Sequence, residues 1–297
     1  MASWSIANTM TEEVGSTTQS LLQFYGGKMK LRIMSHNVWG MYAPNAVKKV
    51  ANRNDVMQKI YHKELPDVIG TQEFSADIRN HKLPEMIADE YAEVDVWDEV
   101  KALEMEYLYT PMFYRPATCE LMKKGYVLYD RAFNNHDSKG ICWAVFKHIE
   151  SGKTFTVCNT HYWWMGGPEH DVARVGNSKE VLKLKAELPA PFFIMGDLNC
   201  RISSEAFQTL LAGGLADVQK IAKDTCDLCS HHAYPGYDEE KGEFFPAEYP
   251  GRDYTYAIDH ILIDEEHADS VLAFKVMIDD DALTTSDHCP LYVDFDI

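Results

Sequence analysis

The chain has 297 residues, of which 46% are hydrophobic and 25% are charged, a composition typical of a globular protein with a substantial core. The formal net charge is −18, from 46 acidic and 28 basic residues, so long-range repulsion disfavours an extended polyanion such as duplex DNA as the main partner. No apolar run approaches the roughly 20 residues of a membrane-spanning helix, so no transmembrane segment is predicted.

The first 28 residues differ from the rest of the chain. They are polar, end in Gly26-Gly27 and precede Met29, which resembles a natural start. They lack the basic and apolar regions of a secretory signal, and the odd number of cysteines, seven, favours reduced thiols and a cytoplasmic protein. We predict residues 1–28 to be a polar N-terminal extension, with a mobile arm and a start-site artefact as open interpretations. Residues 29–297 are predicted to form a single domain.

Strands and helices alternate in the first third of this domain. Residues 31–37 show a strand pattern, and residues 45–65 have apolar positions at helical spacing up to Pro66. A short strand over 67–73 and a helix over 77–91 follow, which gives a β-α-β opening.

The rest of the domain contains more strands. The predicted elements are strands over 108–114, 119–128, 141–149 and 155–161, a long helix over 169–188, a strand from Phe192, a short helix over 204–211, a loop-rich stretch over 225–253, and a strand over 256–263. No linker divides them, so the pattern indicates one α/β domain.

Several predicted strands end in polar residues. The apolar run before Gly196 leads to Asp197 and Asn199, which is where open α/β folds place their ligands. Other strand ends and turns carry further polar residues, namely Asn37, Glu73, His161, Asp259, Asp287 and His288. This set matches a hard-cation site next to a His-Asp acid/base pair.

In this order the motifs resemble the endonuclease/exonuclease/phosphatase superfamily, over residues from about 30 to 297. Its members include deoxyribonuclease I, exonuclease III-type abasic endonucleases, inositol polyphosphate 5-phosphatases and neutral sphingomyelinases. The resemblance implies a four-layer α/β sandwich, in which two packed mixed β-sheets are flanked by helices. It also implies a phosphoesterase that uses Mg²⁺ or Mn²⁺ and metal-activated water.

The resemblance assigns roles to individual residues. Glu73 is the first metal ligand, with Asn37 on the metal or the phosphate and Asp287 on the metal or at a second metal position. Asp197 and Asn199 orient water and phosphate, and Asp197 is a candidate general base. The remaining assignments are a His288–Asp259 pair at the scissile phosphate, His161 on a phosphate oxygen, and Tyr109 or Tyr114 as a phenolic donor.

One position departs from the exonuclease III-type pattern, in which an acidic residue follows two positions after the first asparagine. Here that position is Trp39, which adds an aromatic wall and a candidate substrate contact. Together with the net charge, this favours a small-molecule or lipid-headgroup phosphoester as substrate. A nuclease and a non-catalytic binding module on the same fold are the alternatives. Cys226 and Cys229, followed by His231-His232, also leave a zinc site open.

Overall fold

The structure is a computed structural model, and it describes residues 30–40, 50–131, 134 and 138–297. The predicted N-terminal extension, residues 1–28, therefore lies outside the described residues. So do residues 45–49 at the start of the helix predicted over residues 45–65, and the helix itself begins at Arg53, within the described residues.

Fourteen strands and eight α-helices are formed by the described residues. The strands are β1 (Lys30–Asn37), β2 (Val68–Gln72), β3 (Ala92–Glu93), β4 (Met112–Tyr114), β5 (Cys119–Leu128), β6 (Gly140–His148), β7 (Thr154–His161), β8 (Phe192–Asp197), β9 (Leu215–Asp217), β10 (Gly236–Asp238), β11 (Glu243–Phe245), β12 (Asp259–Asp264), β13 (Val271–Val276) and β14 (Leu291–Asp296). The helices are α1 (Arg53–Glu64), α2 (Ala76–Asn80), α3 (Leu83–Met86), α4 (Trp97–Ala102), α5 (Pro168–Glu187), α6 (Glu205–Ala212), α7 (Val218–Ile221) and α8 (Asp280–Thr285).

The strands form two mixed six-stranded sheets and one small hairpin. The first sheet has the order β13-β14-β1-β2-β4-β3, the second has the order β5-β6-β7-β8-β12-β9, and β10 pairs with β11. In each sheet one central pair is parallel, β1 with β2 and β7 with β8, and the other pairs are antiparallel.

The layers follow from where the apolar side chains are buried. Between the two sheets lies a core to which both contribute, for example Val68 from the first and Phe193 from the second. A second core lies between the first sheet and α1, around Met57, and a third lies between the second sheet and helices α5 and α6, around Phe207. This helix–sheet–sheet–helix order confirms the predicted four-layer sandwich.

Two further predicted elements are shorter in the structure. The helix predicted over residues 77–91 is two short helices, α2 and α3, because Lys82 takes a left-handed conformation (φ 68°) and Pro84 then begins a new turn. The strand predicted over residues 108–114 is reduced to the three residues of β4. The loop-rich stretch over 225–253 contains the hairpin of β10 and β11.

The two sheets approach closely where β2 passes β7 and β8. A side chain at Gly70 would place its Cβ 2.7 Å from Cγ of Asn159, so a larger residue there would displace this hydrogen-bonded amide. Beside it the buried amide of Gln72 donates to Asn159 Oδ1 at 2.6 Å, and Asn159 Nδ2 donates to the Thr71 carbonyl at 2.8 Å. These bonds join the sheets next to the strand ends that carry the predicted site.

Two further features concern the chain as a whole. Within the described ranges, no helix combines the length and apolarity needed to cross a membrane. All seven cysteines are free thiols, as predicted.

Candidate active site

The predicted polar residues converge because their strands end at one edge of the sandwich. In the first sheet Asn37 pairs with Gln72, so Glu73 follows directly beside it. In the second sheet Asp197 lies between His161 of β7 and Asp259 of β12. The carboxyl ends of parallel strands meet at the same edge, and an antiparallel neighbour begins there, which is why β12 contributes its first residue.

The backbone around this edge takes unusual conformations. Gly196 has φ 141°, and a Cβ there would lie 1.9 Å from the Thr160 carbonyl oxygen, so no other residue fits before Asp197. Trp39, Glu73 and Asn199 have positive φ values of 48°, 56° and 48°. Such conformations are costly for residues with side chains, and they tend to cluster at functional sites.

Glu73 and Asn37 form one side of the site. Asn37 Nδ2 donates to Glu73 Oε1 at 3.3 Å and to Asp197 Oδ2 at 3.0 Å. Glu73 Oε2 is buried and has no hydrogen-bond partner among the described residues, and burial raises the pKa of this carboxyl. A buried carboxylate oxygen without a donor fits a hard cation such as Mg²⁺ or Mn²⁺. One ligand atom each of Glu73, His161 and Asp197 lies within 4.8 Å of the others, so together they are able to hold such an ion.

His288 and Asp259 form the opposite side. His288 Nδ1 lies 2.7 Å from Asp259 Oδ2, and the Ser230 hydroxyl donates to the same oxygen. Burial alone would lower the pKa of His288, but the carboxylates of Asp259 and Asp287 raise it well above its ordinary value. Burial acts in the opposite sense on Asp259, yet the imidazolium keeps the pKa of this carboxyl below its usual range. His288 is therefore a cation at neutral pH.

Asp197 lies between the two sides. Its Oδ1 accepts from the Asn199 backbone N–H at 2.9 Å, and its Oδ2 lies 3.5 Å from His161 Nε2. Burial and the negative charge of Asp259 raise the pKa of Asp197 to about 7. Asn199 donates its side-chain amide to the Tyr162 carbonyl at 3.1 Å, so it also fixes the loop after β8.

The matching family model is that of the Endonuclease/Exonuclease/phosphatase family, and it covers residues 34–288. The chain belongs to this family. Its members are metal-dependent hydrolases of phosphoester bonds, and the chain is such an enzyme. No curated protein matches the sequence.

Solved structures with the same fold have low sequence identity to the chain. One is an endonuclease/exonuclease/phosphatase family protein from Bacteroides thetaiotaomicron, with 20% identity and a TM-score of 0.67, covering 90% of this chain and 95% of that one. The mannosyl-6-phosphatase of the same organism has 21% identity and a TM-score of 0.66, with 89% and 98% covered. A mutant beta toxin from Staphylococcus aureus with bound magnesium ions has 18% identity and a TM-score of 0.64, with 89% and 99% covered.

Sequence analysis missed Lys139, a fully buried residue of the active site. Its ammonium lies 2.8 Å from His161 Nε2 and 3.0 Å from Nδ1, and burial lowers its pKa to about 8 despite the carboxylates of Glu73 and Asp197. Lys139 immediately precedes β6, which runs antiparallel to β7. The beginning of β6 therefore lies at the same edge as His161, and this topology is the signal that would have revealed it.

The two candidate tyrosines lie in different places. The Tyr109 carbonyl accepts from the Phe74 N–H at 3.0 Å, next to Glu73. Tyr114 pairs with Val68 at the start of β2, five residues before Glu73 and so roughly 16 Å away. Its ring packs on Phe146 in the core. Tyr109 therefore lies beside the active site, next to Glu73, and Tyr114 does not.

Trp39 lines the rim of the site with partners that are distant in sequence. Its backbone N–H donates to Asn37 Oδ1 at 3.0 Å, and its buried ring contacts Tyr234 and Phe244 at centroid distances of 5.0 and 6.0 Å. Tyr234 is 64% exposed. Arg53 lies beneath, 5.2 Å from the Trp39 ring.

Asp287 and the cysteine motif lie in different surroundings. The Asp287 carboxylate forms a potential cation-binding group with His231 and His288, and its negative charge also acts on the nearby Glu73 carboxyl and helps to raise its pKa. Of the potential cation-binding groups among the described residues, none includes Cys226 or Cys229. The Cys229 thiol instead donates to the His231 carbonyl. The structure thus gives no support to a zinc site built on the two cysteines.

Proposed function

We propose that the enzyme hydrolyses small phosphoesters, either a soluble small molecule or a lipid headgroup, with Mg²⁺ or Mn²⁺ and water as the nucleophile. The observation that carries this proposal is the position of buried Asp197. It lies between Glu73, whose Oε2 has no hydrogen-bond partner among the described residues, and an imidazolium held by its own carboxylate, the His288–Asp259 pair.

Glu73 would hold the cation, together with Asn37, Asp197 or His161. When bound, the cation supplies Lewis acidity, which polarises the phosphate and lowers the pKa of water. The chemistry of the donor set fits this ion, because it is mostly oxygen and includes the partnerless Glu73 Oε2.

The remaining steps belong to protein side chains. Asp197 accepts the proton of the attacking water, since a base with a pKa near 7 is suited to neutral pH. His288 and Lys139 present positive charge to the phosphoryl oxygens as negative charge develops there. His288 also has a proton to give to the leaving oxygen, and Asp259 keeps its ring in place. Asn199 and His161 orient the phosphate.

The preference for small substrates rests on charge and on the rim of the site. The net charge of −18 opposes a long polyanion, whereas one or two phosphates carry too little charge to be repelled strongly. Tyr234, which is exposed and packs against the buried Trp39 ring, offers an aromatic surface for the group attached to the phosphate. The mannosyl-6-phosphatase among the structural neighbours is consistent with a sugar as that group.

The proposal is tested by competitive turnover of four substrates at physiological salt: a sugar phosphate, a free choline or inositol phosphoester, the same headgroup in zwitterionic vesicles, and plasmid DNA. We expect turnover of a small phosphoester that requires Mg²⁺ and is absent with chelator. Faster turnover of the vesicle-borne headgroup would identify the lipid source. Efficient nicking of the plasmid with no small-molecule turnover would overturn the proposal.

A further inference from the structure

His231 is held against the catalytic histidine by a short backbone bridge. The His232 N–H donates to the Asp287 carbonyl at 2.8 Å, and the Cys289 N–H donates to the Ser230 carbonyl at 2.9 Å. In such an antiparallel arrangement His231 and His288 form the pair without mutual hydrogen bonds, in which side chains stand closest. Their ring centroids are 4.8 Å apart.

Asp287 completes a group of three ligands. One ligand atom from each of His231, Asp287 and His288 lies within 4.8 Å of the others. In a tetrahedral zinc site with bonds of about 2.0–2.1 Å, neighbouring ligand atoms lie about 3.3 Å apart. Rotations of the three side chains that shorten each distance between ligand atoms by about 1.5 Å or less would therefore be enough to form a tetrahedral zinc site.

The surroundings of His288 resemble those of a metal-bound histidine. Its Nδ1 faces Asp259, so Nε2 is the ring nitrogen that becomes the ligand atom once a metal ion displaces its proton. His231 is only half-buried, so the group is reached from solvent. Two imidazoles and one carboxylate suit zinc, whereas Mg²⁺ selects oxygen ligands and favours the Glu73 group.

We propose that His231, Asp287 and His288 form a second cation site, which binds Zn²⁺ in preference to Mg²⁺ and inhibits the enzyme when occupied. Bound zinc takes the Nε2 atom of His288, which then has no proton to give and no positive charge of its own to offer the phosphate. Only the inhibition rests on the proposed function, because zinc binding is measured without any substrate. His231 of the cysteine motif would thus bind zinc with Asp287 and His288 and not with the two cysteines.

Binding is tested by equilibrium dialysis of the full chain with Zn²⁺ in the presence of millimolar Mg²⁺, and by the visible absorption of the cobalt-substituted protein. The test variant is His231→Gln. The control is His81→Gln, which also removes one histidine. The exposed His81 ring has its hydrogen bond to the Asp77 carbonyl, far in sequence from the proposed site. We expect one tightly bound zinc in the wild type and in His81→Gln, and at least about 10-fold weaker binding in His231→Gln. Equal zinc affinity in His231→Gln, or no stoichiometric zinc in the wild type, would overturn the site.

Two further measurements remain informative if a variant misfolds or if the proposed hydrolytic activity is not found. X-ray absorption of the zinc-loaded wild type should show two histidine ligands, and a shell of oxygens or a single histidine would contradict the site. In the hydrolysis assay, each variant is compared with itself at increasing Zn²⁺. Inhibition should move to at least about 10-fold higher zinc in His231→Gln than in His81→Gln. Inhibition at the same zinc concentration in both would refute the regulatory role while leaving the hydrolytic proposal intact.

Discussion

The two sides of the active site differ in how completely the protein satisfies its own charges. On the His288 side, Asp259 accepts from both the imidazole and the Ser230 hydroxyl. On the Glu73 side, one buried carboxylate oxygen has no partner among the described residues, and the other has only the long 3.3 Å bond from Asn37.

This difference indicates which part of the chemistry each side supplies. A side that satisfies its own charges holds one arrangement before substrate arrives, as acid/base groups require. The Glu73 side instead carries a desolvation cost that a cation would relieve. Asp197 belongs to both, since Asn37 donates to it while burial and the charge of Asp259 raise its pKa.

The largest expected effect follows from removing the group that the two sides share. Asp197→Asn removes the base, and we expect kcat to fall by about 10² to 10⁴-fold with the fold retained. Asp217→Asn is the matched control, because burial raises the pKa of Asp217 to about 7 as well, while it bonds the Tyr254 hydroxyl outside the site. Steady-state kinetics and thermal unfolding are measured for both. A comparable loss of kcat in folded Asp217→Asn would show that burial of a carboxylate, and not its position, governs the effect.

A double-mutant cycle tests whether Asp259 acts only through His288. We expect His288→Gln to lower kcat/KM by about 10² or more, and Asp259→Asn to cause a smaller loss. Because Asp259 acts through His288, the double variant should be no slower than His288→Gln alone. Additive losses would mean that Asp259 has a separate role in the reaction.

The Glu73 side is tested by its dependence on metal. Glu73→Gln should weaken Mg²⁺ activation by at least about 10- to 100-fold and abolish the rise in melting temperature that Mg²⁺ gives the wild type. In chelator the same variant should melt no lower than the wild type, since burial of the Glu73 charge costs free energy and its Oε2 has no hydrogen-bond partner among the described residues. Glu120→Gln, at an exposed position on β5, is the control. Unchanged Mg²⁺ activation in Glu73→Gln would place the cation elsewhere.

Most residues on the two sides of the site could be predicted from the sequence, and those that could not show where local sequence patterns fail. Asn37, Asp197 and Asp259 follow or begin apolar strands, and the strand order then brings them together. Lys139 has no such signal, because it precedes its strand and meets His161 only through antiparallel pairing. The length of β4, and hence the position of Tyr114, depends on tertiary pairing that the local pattern does not reveal.

The protonation of Asp197 and Lys139 predicts a bell-shaped pH profile. Asp197 accepts a proton only when ionised, so kcat/KM should rise about tenfold per pH unit below its pKa of about 7. Bound cation favours the carboxylate and moves this limb to lower pH. Above pH 8 the rate should fall as Lys139, whose pKa burial lowers to about 8, loses its charge. Lys139→Met should be slower at neutral pH and lack the alkaline limb, so the same limb in this variant would assign it to another group.

The smallest expected effect concerns the rim of the site, which belongs to neither the Glu73 side nor the His288 side. Tyr234 lies against Trp39 with ring centroids 5.0 Å apart, and more than half of its surface is exposed to an incoming substrate. Because stacking of this kind contributes about 0.5–1.5 kcal/mol, Tyr234→Ala should raise KM for a ring-bearing phosphoester by about 2- to 10-fold with little change in kcat. Tyr234→Phe keeps the ring and should keep KM, whereas a linear alkyl phosphoester should not distinguish the variants. An equal rise in KM for both substrates would assign Tyr234 to the support of Trp39 and not to contact with the substrate.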